Sequence, residues 1–223
     1  MGKAPVFCFF NNEKRGIIVN HQLTTTSGLG FQARAQAEQN VLKGTNLDPF
    51  HSITTFFNQF KGRPTIVPIL VCQGQLLIVK STKSGSWGFP QGGIKTSDGT
   101  LMFAALREAR EELGLSENLL NISKRKLLGE YVNPVPRDRN LGYDSKHMVL
   151  AVLPVLRLDF VKLNDENCEF AWVRSGEEMI EKIGESINAR KVKLQATVEA
   201  VNKLWEENFL PWSCERQKAF SFS

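Results

Sequence analysis

The stretch from Trp87 to Leu115 constrains the fold more than any other part of this 223-residue chain. It reads Trp-Gly-Phe-Pro-Gln-Gly-Gly, continues as a polar turn to Gly99, and then runs without glycine or proline up to Gly114. The apolar residues of this last segment recur at the spacing of a helix with one buried face: Leu101, Met102, Ala105, Leu106, Ala109 and Leu113. The pattern predicts a glycine loop followed by a helix that packs against a core.

Three glutamates of the predicted helix, Glu108, Glu111 and Glu112, share one face because they are spaced i, i+3 and i+4. Like charges packed so closely repel one another, which costs stability unless a cation lies among them. Carboxylate oxygens suit Mg²⁺ or Mn²⁺ better than zinc. The acids therefore form a candidate metal site. The alternative is a solvated helix face whose glutamates pair with Arg107 and Arg110.

From Arg107 to Leu115 the sequence resembles, at every position, the box of the Nudix hydrolases, Arg-Glu-apolar-x-Glu-Glu-x-Gly-apolar. Upstream, the family pattern has a glycine, five residues, a glutamate and seven further residues. Counting six forward from Gly93 reaches Gly99, whereas counting six forward from Gly92 reaches Asp98 and leaves one extra residue before the box. We prefer the second alignment, in which Asp98 replaces the glutamate that supports the loop in the family.

The resemblance implies a reaction, the hydrolysis of a phosphoanhydride bond, which needs a divalent ion on the phosphoryl oxygens and an activated water. Mg²⁺ or Mn²⁺ is the implied cofactor. The implied metal ligands are Glu108, Glu111, Glu112 and a backbone carbonyl at Gly92. Arg107 belongs to the implied catalytic set because in the family it orients the box carboxylates.

The resemblance also implies a general base in a late loop. Glu166 precedes an aromatic-x-Trp-Val sequence, and it matches the acid that in RNA pyrophosphohydrolases lies opposite the helix and helps to bind metal or activate water. Asp165 and Glu169 are the nearest alternatives. Because the base differs between branches of the family, Glu111 or Glu112 remains an alternative as well.

The run from Ser86 to Ile94 resembles the Trp-x-Phe-Pro-Gln-Gly-Gly-Ile run of the bacterial RNA 5′-pyrophosphohydrolases and the related dinucleoside polyphosphate hydrolases. This resemblance implies substrate contacts from Trp87 and Gln91. The alternative for Trp87 is that it packs beneath the loop. Cations in or beside a later loop are a further electrostatic footprint for a triphosphate or an RNA end: Arg137, Arg139 and Lys146.

The predicted fold is the Nudix α/β/α sandwich, in which a mixed sheet lies between helices. Residues 63–212 would form this domain, with an N-terminal extension over 1–62 and a tail over 213–223. A long C-terminal helix over about 186–209 would pack back on the sheet because its apolar residues fall largely on one side. We expect the chain to be loosely held from Trp212 onwards.

Composition limits the remaining partners. The net charge of +5 favours a polyanionic partner. The four cysteines form no Cys-x-x-Cys pair, and no histidine lies near them at a ligand spacing, so we expect reduced thiols in an intracellular, cytoplasmic protein that binds no zinc. No apolar run approaches the roughly 20 residues that a membrane helix needs, so no membrane partner is predicted. The sequence leaves the oligomeric state open.

Two classes of function follow. The first is a hydrolase whose substrate is the 5′-triphosphate or diphosphate end of RNA, with a dinucleoside polyphosphate or another nucleoside diphosphate derivative as the alternative substrate. The second is a nucleotide- or RNA-binding protein of the same fold with little catalysis. The irregular loop at Asp98 and Gly99 motivates the second class, whereas the three helix glutamates favour the first.

Overall fold

The computed structural model describes Ile53 and residues 62–134, 145–184 and 191–214. All of these belong to one compact unit that begins at Asn40. The predicted extension therefore lies outside the described residues except for Ile53 and Gly62, and its boundary with the domain stays a prediction. Among the described helices, none combines the length and the apolar character that crossing a membrane requires.

The elements follow the order that the sequence predicted. The strands are β1 (Arg63–Cys72), β2 (Gln75–Ser81), β3 (Trp87–Gly88), β4 (Gly92–Gly93), β5 (Lys126–Pro134), β6 (Ser145–Pro154) and β7 (Asn167–Val173). The helices are α1 (Leu101–Leu113), α2 (Gly176–Gly184) and α3 (Lys191–Glu206). Single turns of 3-10 helix lie at Thr96–Asp98, Glu117–Leu119 and Ile122–Lys124.

Strand β1 lies at the centre of a mixed sheet with the order β3-β2-β1-β6-β5. It runs parallel to β6 from the pair Arg63↔Lys146 to the pair Val71↔Pro154. It pairs antiparallel with β2 at one end and with β4 at the other, while β7 pairs with β2. The short β4 thereby fixes the glycine loop beside the first residues of β1.

Both faces of the sheet are covered, which confirms the predicted sandwich. Along β1, Ile66 and Leu70 face the core that contains α1, whereas Val67 and Ile69 face the core that contains α2 and α3. Because side chains alternate between the two faces of a strand, a strand that is buried on both faces reads as a nearly continuous apolar run. Full burial of each such side chain stabilises the fold by roughly 1.5–3 kcal/mol.

Helix α1 begins and ends at residues suited to those positions. The Thr100 side chain accepts a hydrogen bond from the Phe103 N–H at 3.2 Å, which satisfies a backbone donor that the first turn leaves open. Gly114 adopts φ +68° and donates to the Arg110 carbonyl at 3.0 Å. A left-handed residue at this position favours glycine. The predicted apolar face of α1 is buried throughout.

The expectation of a loose chain from Trp212 onwards is wrong for residues 212–214. The Trp212 indole N–H donates to the Gly74 carbonyl at 2.8 Å, and the Cys214 N–H donates to the Asn202 Oδ1 at 2.8 Å. Cys214 itself is buried. These contacts join distant segments, so no local pattern indicated them. Residues 215–223 lie outside the described part of the chain.

Candidate active site

A cleft of about 840 Å³ lies where β1 begins and β4 pairs with it. It brings together residues that are distant in the sequence and that were predicted to belong to one site: Gln91, Gly92, Glu108, Glu111, Lys146 and Glu166. The glycine loop supplies two of them, α1 supplies two, β6 supplies Lys146 and the loop before β7 supplies Glu166. This volume lies within the range of pockets that hold small organic ligands.

Arg107 ties the glycine loop to helix α1. Its guanidinium donates to both Asp98 carboxylate oxygens at 2.5 and 2.8 Å, to the Gly93 carbonyl at 2.8 Å, to Glu108 at 2.5 Å and to Glu111 at 3.0 Å. Bidentate pairs of this kind fix geometry as well as adding energy. One guanidinium therefore joins the glycine loop, Asp98 and two box glutamates, and a role in orienting those carboxylates stays a prediction.

Asp98 fills the supporting position that the preferred alignment assigned to it. Its side chain is only 4% exposed and also accepts a hydrogen bond from the Lys95 N–H at 2.8 Å. Burial disfavours the ionised carboxylate, but the hydrogen bonds from Arg107 and Lys95 outweigh burial and lower the pKa of Asp98. The neighbouring Gly99 adopts φ +73°, which accommodates the extra residue of the loop.

Gly92 is a glycine because the Glu108 carboxylate occupies the space of a side chain. A Cβ atom built on Gly92 would lie 2.0 Å from the Glu108 Cδ and Oε2 atoms. Glu108 is only 6% exposed. Burial raises its pKa, and the guanidinium of Arg107 opposes that rise. The loop backbone and the first box glutamate are therefore in direct contact, as a shared metal site would require.

Glu112 is buried behind the glycine loop and is 4% exposed. It accepts a hydrogen bond from the Asn167 side-chain amide at 2.9 Å and another from the Gln91 N–H. Burial, together with the charges of Glu108 and Glu166, raises the pKa of Glu112 to about 7 despite these hydrogen bonds. Neutral donors alone leave the buried charge of Glu112 costly. The contribution of Asn167 was missed from the sequence, although Asn167 directly follows Glu166.

Glu111, Asp165 and Glu166 are the exposed acids of the cleft. Glu111 pairs with Arg107 and, at 3.5 Å, with the Lys95 Nζ atom. The backbone carbonyl of Glu166 accepts from the Thr82 N–H at 2.8 Å, which fixes the late loop beside β2. Across residues 62–134, 145–184 and 191–214, no three acids, histidines or cysteines are grouped closely enough to form a finished metal cage. Glu111 shares the Arg107 Nη1 atom with Glu108, because that nitrogen donates to both carboxylates.

Cations line the cleft beyond those that the sequence singled out. Arg63, Lys83 and Lys95 join Lys146 on its walls. A Cβ atom on Gly93 would lie 3.2 Å from an Arg63 guanidinium nitrogen, so Arg63 covers the loop closely. Sequence reasoning missed these residues because each lies alone in the chain, and only the pairing of β1 with β4 and β6 brings them together. Arg137 and Arg139 lie outside the described residues.

Trp87 does not line the cleft. It is 5% exposed and belongs to the core on the α2 and α3 side of the sheet. The Lys182 Nζ atom lies 5.0 Å from the centre of its ring. Because β3 pairs with β2 at Lys80↔Trp87, the indole is turned into the sandwich. The structure therefore places Trp87 beneath the loop, in the arrangement given as the alternative, and not against a ligand.

Replacing Trp87 with phenylalanine is expected to lower the free energy of unfolding by roughly 1 kcal/mol while changing kcat/KM by less than about twofold. The buried ring loses packing, but no ligand contact is lost. Urea unfolding and steady-state kinetics check the two effects separately. Trp172→Phe, a matched change at a half-buried tryptophan of β7 that also lies outside the cleft, is the control. A tenfold rise in KM for Trp87→Phe alone would contradict the core placement.

The geometry defines a class of protein: an α/β/α sandwich whose glycine loop and acidic helix form one wall of a cleft with cations across it. The family model described as "NUDIX domain" matches residues 61–193. This match spans more than half of the chain, and the chain therefore belongs to the NUDIX domain family.

Several relatives and solved structures are similar to this chain. The RNA pyrophosphohydrolase of Haemophilus influenzae strain PittEE is 40% identical over 96 residues, which cover 41% of this chain and 46% of that protein. The RNA pyrophosphohydrolase of Pasteurella multocida is 41% identical over 92 residues, which cover 39% and 43%. The chain thus spans less than half the length of these relatives. A NUDIX hydrolase structure from Nitrosomonas europaea is 16% identical with a TM-score of 0.49 and covers 66% of this chain and 90% of that chain.

Proposed function

We propose that this chain is a Mg²⁺- or Mn²⁺-dependent hydrolase of phosphoanhydride bonds and that its substrate is the 5′-triphosphate or diphosphate end of RNA. One observation carries the proposal: buried Glu108 and Glu112 lie against the glycine loop of an 840 Å³ cleft that cations also line. Carboxylates bind a divalent ion and cations bind phosphate oxygens, so the cleft has both sets of contacts that a phosphoanhydride needs.

The donor set fits Mg²⁺ or Mn²⁺ because it consists of oxygen atoms. Glu108 and Glu112 would hold the ion together with the Gly92 backbone. Glu108 lines the cleft with Glu111 and Glu166, whereas Glu112 lies behind the glycine loop. When bound, the ion supplies Lewis-acid polarisation of a phosphoryl oxygen and lowers the pKa of a bound water. The contact between the Glu108 carboxylate and Gly92 supports this proposal, because it places a carboxylate next to the loop backbone.

In this proposal the residues of the chain bind phosphate oxygens, orient the box carboxylates and accept a proton from the attacking water. Arg107 fixes Glu108 and Glu111 relative to the Gly93 carbonyl. Arg63 and Lys146 line the same cleft as Glu108 and Glu111, and they would bind phosphate oxygens there. Glu166 is the proposed proton acceptor for the attacking water. It is exposed in the cleft and its charge acts on Glu112, so it lies close to the acids of α1.

The choice of RNA rests on the relatives and on charge. The relatives from H. influenzae and P. multocida bear the name RNA pyrophosphohydrolase. The net charge of +5 suits a polyanion longer than a single nucleotide. A dinucleoside polyphosphate is the competing substrate.

Incubation with 5′-triphosphorylated RNA is expected to release phosphate or pyrophosphate only when Mg²⁺ or Mn²⁺ is present, because the carboxylates by themselves repel the phosphates. Diadenosine tetraphosphate, assayed in parallel, is expected to show a lower kcat/KM. EDTA is the control for the metal. Preference for the dinucleotide would reject RNA as the substrate, and the absence of turnover with every divalent ion would reject the hydrolase.

A binding protein with little catalysis is the second candidate, and one observation favours it: in the described part of the chain, the acids do not form a finished metal cage. Against this candidate, Asp98 accepts two hydrogen bonds from Arg107, so the irregular loop is still held to α1. Tight binding of triphosphorylated RNA without turnover would support this candidate.

A further inference from the structure

A second, smaller pocket lies behind the glycine loop. Its volume is about 130 Å³, roughly four times the volume of one water molecule in the liquid. It shares three lining residues with the large cleft, namely Ser81, Gln91 and Glu166. The two cavities therefore adjoin each other at these three residues.

Lys193 of α3 contributes a cation to this pocket. Its amine lies against the backbone of β3, since a Cβ atom built on Gly88 would be 2.7 Å from Lys193 Nζ and 3.0 Å from Cε. The glycine at position 88 therefore gives the lysine room to reach the pocket from the far side of the sheet. No local pattern in the sequence links these two residues, which are more than one hundred positions apart.

Hydroxyl groups complete the lining on the side of the loop between β2 and β3. Ser84 and Ser86 both line the pocket. The Ser84 oxygen accepts from the Ser86 N–H at 3.3 Å, so the loop holds this hydroxyl in place. An ammonium group beside serine hydroxyls is a set of donors for a tetrahedral oxyanion. Glu112 and Glu166 also line the pocket, and a divalent ion held by the acids as proposed above would offset their charges.

We propose that this pocket takes the terminal phosphoryl group of the substrate and that Lys193 is the cation that binds it. The proposal rests on the function proposed above. A phosphoryl group fits a pocket of this size, whereas a nucleoside does not, because pockets for ligands of that size begin at roughly 300 Å³. The pocket therefore makes the enzyme selective for substrates with a free phosphate end over substrates with a nucleoside at both ends.

Lys193→Met removes the ammonium group and keeps most of the stem. We expect kcat/KM for 5′-triphosphorylated RNA to fall roughly tenfold, the size typical of one lost charged hydrogen bond, and kcat/KM for diadenosine tetraphosphate to change less than about twofold. The dissociation constant of inorganic pyrophosphate, measured by calorimetry with Mg²⁺, is expected to rise roughly tenfold as well. This second readout does not depend on turnover.

Gly88→Ala moves the amine without removing it, because the new methyl group meets only the flexible end of Lys193. It is expected to weaken pyrophosphate binding in the same direction. Lys182→Met, which removes another amine beside β3 that lines neither cavity, is the control and should leave pyrophosphate binding unchanged. Thermal melting shows that each variant is folded.

The outcomes separate the two proposals. If the wild type turns over no substrate but binds pyrophosphate through Lys193, the pocket stands and the hydrolase is rejected. If the wild type is active and Lys193→Met lowers both kcat/KM values equally, or leaves pyrophosphate binding unchanged, the pocket is rejected and the hydrolase stands.

Discussion

Glu112→Gln is expected to lower kcat at least ~10²-fold, the loss typical when one preorganised charge contact to the reacting groups is removed. The glutamine keeps the shape of the side chain but not its charge. The carboxylate is 4% exposed and lies beside Glu108 and Glu166 at the back of the glycine loop. Under the proposed function, the substitution removes one of the carboxylates that would hold the divalent ion.

The same substitution is expected to preserve or raise the stability of the metal-free protein. Burial disfavours the charge of Glu112 in the folded state, so a neutral amide at this position removes a cost. Melting in EDTA measures this effect. Adding Mn²⁺ should raise the melting temperature of the wild type more than that of the variant, because an ion that binds only the folded state stabilises it.

Glu117→Gln is the matched control for Glu112→Gln. Glu117 is exposed and pairs with Arg110 outside the cleft, so its substitution should leave kcat and the Mn²⁺ response unchanged. If Glu112→Gln keeps full activity, or if both substitutions lower kcat alike, then Glu112 holds no metal that matters to the reaction.

Arg107→Met is expected to lower the free energy of unfolding by about 3 kcal/mol or more at neutral pH, because removing one member of a buried charge network leaves the others uncompensated. The Asp98 and Glu108 side chains are only 4% and 8% exposed. The Gly93 carbonyl also loses its donor. Urea unfolding measures the loss, and kcat should fall with it because the loop is no longer tied to α1.

The loss of stability caused by Arg107→Met should become smaller as the pH falls. The folded state lowers the pKa of Asp98, so the stability that its charge contributes is fully present above the unfolded pKa of about 3.9. It disappears as the pH falls through the lower folded value. The stability curves of wild type and Arg107→Met should therefore converge in acid.

Arg110→Met, three residues further along the same helix, is the matched control for Arg107→Met. Its pair with Glu117 is exposed on both sides, and exposed pairs contribute roughly 0–1 kcal/mol. An equal loss for the two arginines, or a loss for Arg107→Met that is the same at every pH, would contradict the bracing role of Arg107.

The sequence predicted the helices and strands of which one face or both faces had to be buried. The run from Thr65 to Val71 is nearly all apolar, as expected of a strand buried on both faces, and the spacing of Leu101 to Leu113 predicted α1 with its buried face. Periodicity carries this information because side-chain direction is set by the backbone alone. The C-terminal contacts of Trp212 and Cys214 join distant segments, and no periodicity reports such contacts.

The sequence predicted only part of the candidate site. The box residues Arg107, Glu108 and Glu112 were identified because they lie within one helix at fixed spacing. Trp87 belongs to the Trp-x-Phe-Pro-Gln-Gly-Gly-Ile run, but the orientation of its side chain depends on the pairing of β3 with β2. Arg63, Lys95 and Lys193 carry no local signal, so they became visible only when the sheet and α3 brought them to the cavities.

The sequence by itself determined the spacing of the glutamates along one helix face, the glycines of the loop before it and the order of buried strands. Those features are local, and backbone geometry alone converts them into structure. The tertiary structure alone decided which glutamates are buried, which cations face them and that Gly88 leaves room for Lys193. Those features depend on strand pairing and on packing between distant segments. These contacts stabilise the protein only when the whole sandwich forms.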